Sequence, residues 1–224
     1  MKTVNTTFGG YDVTVMIPDN PNGKWIWKTE FFTAFDSAER ALFDMGYTRV
    51  YYKISNKYGS YHAVRLMHRF YKFAVEEFGL SEKCILFGFS RGGLYAFNFS
   101  LFYPEAVEKI YLDAPVLDMR TWPLHGTMER EEVYAEYGLT RESIERFGGH
   151  PIENLKEFFE NKIPTLIVAG DSDEVVPYEQ NSKRLIDYAQ ENGIDIRYYV
   201  KPGCGHHPHS LEDVTPIIDF VKNH

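Results

Sequence analysis

The chain of 224 residues carries 24 Lys and Arg against 32 Asp and Glu, a formal charge of −8 at pH 7, with 44% hydrophobic and 25% charged residues. That length supports a sizeable core and is expected to form one domain over residues 1–224, while the acidic surplus argues against a nucleic-acid partner. Two cysteines, Cys84 and Cys204, exclude a disulfide framework; residues 1–6 lack an apolar signal core and no run reaches membrane-spanning length, so a cytoplasmic protein with no membrane partner is expected.

In chain order, residues 11–17 alternate and are rich in β-formers, which predicts an edge or hairpin strand. Residues 18–23 (P-D-N-P-N-G) are turn chemistry, and 25–32 form a second β-prone run. Asp36 is placed to N-cap a helix running to Met45, with Gly46 as its stop. A strand is expected over 49–54. A longer amphipathic helix follows over 60–78, with Val64, Met67, Phe70, Val75 and Phe78 near one stripe and Gly79 after it.

Residues 83–93 read as a short apolar run containing Cys84, a buried thiol by its surroundings, followed by G-x-S-x-G at Gly88, Ser90 and Gly92 and a small-residue helical start. A serine there sits on a sharp strand-to-helix turn that needs glycine for close backbone approach. The turn lifts the hydroxyl clear of a sheet and leaves helix N–H groups beside it, able to hold an oxyanion. Residues 109–112 form the next strand, ending at Asp113-Ala114-Pro115.

Residues 118–161 break this rhythm. They hold Trp122 and Pro123, a charged helical piece over 128–137, and a second helical piece after Thr140, a candidate N-cap. A helical insertion lying over the site is expected. A buried strand over 164–169, a helix over 178–192 closed by Gly193, a strand over 194–200 and a last helix over 213–222 complete the chain. The fold class is therefore α/β: an open, mostly parallel sheet after an antiparallel start, helices on both faces, and a small helical lid at about 118–161.

Ligand sites in such sheets form at the carboxyl ends of the strands. Three loops there carry chemistry. The first holds Ser90; the second reads D-S-D-E-V-V-P over 171–177; the third reads P-G-C-G-H-H-P-H over 202–209. A serine hydroxyl becomes a useful nucleophile only when a base takes its proton, and a histidine base needs a carboxylate to fix its tautomer and stabilise its charged form. His206, His207 and His209 also raise a metal site, but no Cys or carboxylate stands at helpful spacing, so no metal and no cofactor are expected.

On these motifs the chain resembles an α/β-hydrolase of the prolyl-oligopeptidase-like or esterase type, in which nucleophile, acid and histidine follow in that order. G-F-S-R-G-G matches the nucleophile elbow, G-D-S-D-E-V-V-P the acid loop and P-G-C-G-H-H-P-H-S-L the histidine loop. W-I-W-K-T-E-F-F and D-A-P-V-L-D-M-R-T-W-P further resemble bacterial hydrolases found with polysaccharide-degrading enzymes, some of them carbohydrate esterases. The family pattern G-x-x-D-x-x-V-P puts the acid on Asp173, with Asp171 shaping the loop. The pattern G-x-G-H points to His206, and His207, biased towards extended backbone by Pro208, props the loop. The resemblance implies an oxyanion hole made by the N–H of Arg91 and one from the loop after residue 25. The usual His-Gly pair is missing there, which leaves Lys28 or Thr29.

Arg91 is a cation at a helix N-terminus, opposed by the helix dipole, so a partner should offset it. A carboxylate such as Asp113 or Asp118 is one candidate; an acidic or hydroxyl-rich substrate is the other. Trp122 either packs the lid onto the sheet or touches substrate. The expected activity is a cofactor-free serine esterase with Ser90, Asp173 and His206 as its catalytic set, acting on a small-molecule or oligosaccharide ester. The rivals are a small serine peptidase and a catalytically silent binding protein on the same fold. Peptidases of this family usually add a large propeller domain, for which a chain of this length has no room, and that favours small esters.

Overall fold

The computed structural model describes residues 1–223. Eight strands form one sheet: β1 Lys2–Phe8, β2 Tyr11–Ile17, β3 Trp25–Lys28, β4 Thr48–Tyr52, β5 Cys84–Phe89, β6 Val107–Asp113, β7 Thr165–Gly170 and β8 Arg197–Lys201. Their order is β1-β2-β4-β3-β5-β6-β7-β8. β1 and β2, and β2 and β4, pair antiparallel; every pair from β4–β3 to β7–β8 is parallel. This is the mostly parallel α/β sheet that the alternation of elements predicts.

Helices α1 Ser37–Asp44, α2 Tyr61–Phe78, α3 Gly92–Phe102, α4 Met128–Tyr137, α5 Leu155–Glu160, α6 Ser182–Glu191 and α7 Thr215–Lys222 complete the fold. The side-chain period of two along β5 divides the core. Cys84 and Leu86 point into the larger cluster under α2 and α3, while Ile85, Phe87 and Phe89 point into the cluster under α1 and α7. A third cluster, holding Tyr58, Leu94, Trp122, Val133, Tyr134 and Ile144, seats the insertion on the sheet. Among the described residues no helix is long and apolar enough to cross a membrane.

Several boundaries differ from the sequence reading, each for a local reason. β1 is unannounced because Thr and Asn stand on both faces of K-T-V-N-T-T-F; the turn Gly9-Gly10, with φ 57° and 86°, folds it onto β2. β3 stops at Lys28 rather than running to residue 32. There the Thr29 hydroxyl donates to Gly92 O (2.8 Å) and Phe31 turns to φ 55°, taking the chain off the sheet. Asp36 precedes α1 but does not cap it, since its carboxylate accepts from Arg40 and Arg49, both at 2.8 Å. Ser60 does cap α2, accepting from Ala63 N (3.1 Å). Thr140 does not cap an α-helix: its hydroxyl accepts from Ser143 N, but a short 3₁₀ turn over Ile144–Arg146 forms there, and the insertion's second helix, α5, begins only at Leu155.

Candidate active site

β5 is buried along its whole length and delivers Ser90 at a left-handed φ of 51°. A non-glycine residue there costs on the order of 1–3 kcal/mol, so neighbouring structure must hold it. It does: Ser90 N donates to Asp113 O (2.9 Å), and Ser90 O accepts from Val116 N (3.0 Å) and Gly93 N (2.9 Å). The elbow also needs its glycines. A Cβ on Gly88 would lie 2.7 Å from Ala96 Cβ, and one on Gly92 would lie 2.9 Å from Thr29 Oγ1.

Past β7 and β8 the other two loops converge on this serine. The Ser90 hydroxyl donates to His206 Nε2 (3.0 Å), and His206 Nδ1–H donates to Asp173 Oδ2 (2.7 Å). The other oxygen, Asp173 Oδ1, accepts the backbone N–H groups of Val175 and Val176, each at 2.9 Å. An ionised carboxylate so held is an acceptor only, which selects the tautomer with its lone pair facing Ser90. Asp171 lies one turn aside and joins the loops, accepting from Gly203 N (2.7 Å). His207 stacks on Phe35 (centroids 5.6 Å apart), and burial lowers its pKa from the ordinary imidazole value.

The serine opens into a cavity of about 240 Å³ lined by Phe31, Ala34, Phe35, Arg91, Trp122, Glu129 and the three histidines. A larger hollow of about 370 Å³, lined by Thr165, Arg197 and Phe220 among others, lies at the amino ends of β7 and β8, the wrong end of the sheet for this chemistry. The cavity walls come from the loop after β3, the lid and the histidine loop. Trp122 packs in the lid cluster and also lines the cavity.

Arg91 finds partners other than Asp113 and Asp118. Its Nε and NH2 donate to Glu30 Oε2 at 3.1 and 3.0 Å, and NH1 donates to Glu129 Oε1 at 3.0 Å. Burial opposes the charge on Arg91, but the two carboxylates more than offset it and raise its pKa. Burial also raises the pKa of Glu30, with Arg91 holding it down in part. Asp118 instead pairs with Arg120 (2.8 Å), and Asp113 is engaged by His209.

The oxyanion region also departs from the sequence reading. Thr29 N–H is spent on Phe87 O (3.0 Å), and neither Lys28 nor Thr29 lines the cavity. Lys28 is buried, its ammonium paired with Glu39 (2.5 Å) and donating to Ala34 O (2.6 Å). Burial lowers the Lys28 pKa and raises that of Glu39, each opposed by the other's charge. Phe31 does line the cavity. Its N–H, like that of Arg91, meets no protein acceptor among the described residues.

One residue with no sequence signal matters for this architecture. Asn181, fully buried, uses its whole amide: Oδ1 accepts from Leu117 N and Asp118 N (2.8 Å each), and Nδ2 donates to Pro177 O (2.9 Å) and Thr121 Oγ1 (3.2 Å). It rivets the root of the lid to the acid loop.

No curated protein matches the chain in sequence. Among solved structures it is similar to FphF, a fluorophosphonate-binding serine hydrolase of Staphylococcus aureus, at 16% identity and TM-score 0.70, covering 92% of this chain and 91% of that one. The carboxylesterase Cest-2923 of Lactobacillus plantarum matches at 15% identity and TM-score 0.64, covering 92% and 85%. Porphyromonas gingivalis dipeptidyl peptidase 4 matches at 12% and TM-score 0.68, covering 92% of this chain but only 32% of the peptidase. Identities this low carry the fold alone, that of α/β-hydrolases. The family itself is shown by sequence: residues 44–224 match the prolyl oligopeptidase family, and the chain is a serine hydrolase belonging to that family.

Proposed function

We propose that the protein is a serine esterase that cleaves a carboxylic ester through an acyl-enzyme, with an ester of a hydroxyl-rich, carbohydrate-like alcohol as its substrate class. The observation that carries this reading is the unbroken relay from Ser90 Oγ through His206 to Asp173, at 3.0 and 2.7 Å, opening on a cavity. Ser90 Oγ attacks the ester carbonyl while His206 Nε2 takes its proton, and Asp173 stabilises the imidazolium. The tetrahedral oxyanion is held by the N–H groups of Arg91 and Phe31, Phe31 replacing Lys28 and Thr29 in that role. His206 then hands its proton to the leaving alkoxide. Water, deprotonated by the same nitrogen, attacks the acyl carbonyl and frees the acid and Ser90.

Ester over peptide is supported by the small cavity and by the comparisons. The fold likeness extends over most of the length of compact hydrolases, a carboxylesterase among them. The family match keeps the peptidase reading as the rival. With every guanidinium nitrogen of Arg91 engaged by carboxylates, an acidic substrate loses its receptor, and a neutral polyol ester fits better.

A fluorophosphonate probe should label wild type and not Ser90→Ala. Equal labelling of both, or none of wild type, would remove the enzyme reading. A panel of acetyl, methyl and feruloyl sugar esters with peptide controls should then show ester turnover; peptide turnover alone would replace the esterase with a peptidase.

A further inference from the structure

Beside the relay stands a second histidine–carboxylate pair, to which the steps above assign nothing. His209 and Asp113 are both buried, with His209 Nδ1 2.7 Å from Asp113 Oδ1. Asp113 Oδ2 accepts from the Tyr111 hydroxyl (2.5 Å) and from Ser210 N (2.7 Å). A carboxylate ringed by donors is an acceptor towards Nδ1, so Nδ1 carries the hydrogen and in this tautomer the lone pair lies on Nε2. That Nε2 has no protein partner among the described residues, yet it is not sealed in the interior, because the ring lines the Ser90 cavity. The His209 ring stands edge-on to His206, centroids 4.8 Å apart, and edge-on to Phe35 at 5.2 Å.

Anchoring alone does not account for this arrangement. Ser210 N–H already ties the histidine loop to the end of β6 through Asp113, whose carboxylate the Tyr111 hydroxyl braces from within the strand. A loop anchor would have no use for an imidazole whose far nitrogen opens on the reaction cavity. The remaining polar surface there points the same way. Arg91 has committed its donors, so the polar side chains left to meet a ligand there are the Glu129 carboxylate, an acceptor, and the imidazoles of His207 and His209.

Building on the esterase reading, we propose that His209 is a specificity-determining residue: its Nε2, oriented by Asp113, accepts a hydrogen bond from a hydroxyl of the substrate's alcohol, selecting esters of polyols over those of plain alkanols. The imidazole of His206 runs the reaction, and that of His209 reads the group being released. No bond to His209 forms or breaks.

The test compares the glycerol monoester of butyrate with propyl butyrate, which differ by two hydroxyls, on wild type and on His209→Asn. Asparagine places an amide N–H where Nδ1 stood and keeps the bond to Asp113, but offers nothing at the Nε2 position. Wild type should favour the glycerol ester, and H209N should lower kcat/KM for it about tenfold while changing the propyl ester about twofold or less. Unchanged fluorophosphonate labelling of H209N checks that the site is folded. An equal fall on both esters, or rescue of the glycerol preference by asparagine, would make His209 a loop anchor and overturn the proposal. Should H209N fail to fold, wild type decides: equal kcat/KM on the two esters overturns the assignment. Labelling without cleavage of either ester overturns the esterase reading, and the assignment with it.

Discussion

Two regions close the cavity around Ser90, and they are built in opposite ways. The loops after β5 and β7 are held mostly by backbone groups near the strands that deliver them, and the loop after β8 is tied by Asp113 and Asp171 to the ends of the neighbouring strands. Asp173 accepts N–H groups two and three residues on, and Ser90 is gripped by Asp113, the last residue of β6, and by Val116 just beyond it. The lid over 118–161 is held by side chains reaching across long stretches of chain. Along α4, Glu129 meets Arg91, Glu132 the Tyr58 hydroxyl, and Glu136 both Lys57 (3.0 Å) and Ser60 (2.7 Å). These three acids stand at helical spacing and form one inward polar face. The catalytic set thus sits on the sheet, while the insertion that walls one side of the cavity is held by these polar ties together with the apolar cluster that seats it.

The largest expected effect falls on the first region. Asp173→Asn should preserve the fold and lower kcat by about 10⁴-fold, because the amide can hold His206 in the wrong tautomer. Asp171→Asn, which loosens only a loop-to-loop contact, should cost less than about tenfold. Steady-state kinetics on any cleaved ester checks both. Comparable losses in the two variants would erase the distinction between the acid and the loop-shaping residue.

Next in size is the joint between the regions. Asn181→Ala leaves the Leu117 and Asp118 N–H groups without their buried acceptor, at about 1–3 kcal/mol for each unmade bond. With two such groups, thermal or denaturant unfolding should show a loss of about 2–6 kcal/mol. Partial proteolysis should then cut first within 118–161, with cleavage spread evenly over the chain as the outcome that removes Asn181 as a rivet.

The same contrast explains what the sequence reveals. Ser90, Asp173 and His206 are legible because each sits beside its own local signal, an apolar run followed by glycine or proline chemistry at fixed spacing. Arg91 announces that it needs a carboxylate, yet Glu30 and Glu129 stand 61 and 38 residues away, and only packing turns them inward. Asn181 carries no signal, since a buried amide serving four partners reads in sequence like any polar loop residue. Thr140 shows the reverse failure: its capping geometry forms, but the chain after it tightens into a 3₁₀ turn, and His150 is drawn into the lid instead.

His150 gives the smallest and most specific test. It is fully buried, accepts from Met119 N at Nδ1 (3.2 Å) and donates from Nε2 to Ile144 O (2.9 Å), so as a neutral ring it joins the start of the lid to its middle. Burial pushes its pKa below the ordinary 6.5, outweighing the Ile144 carbonyl and Asp118, which favour the charged form. The unfolded chain therefore takes up the proton first as pH falls. The stability His150 contributes is fully present above about pH 6.5 and declines as pH drops towards the lower folded-state value. His150→Asn keeps an acceptor for Met119 N but cannot titrate. Wild type should lose more Tm than the variant between pH 7 and pH 5, and parallel curves would show that His150 does not couple the lid to protons.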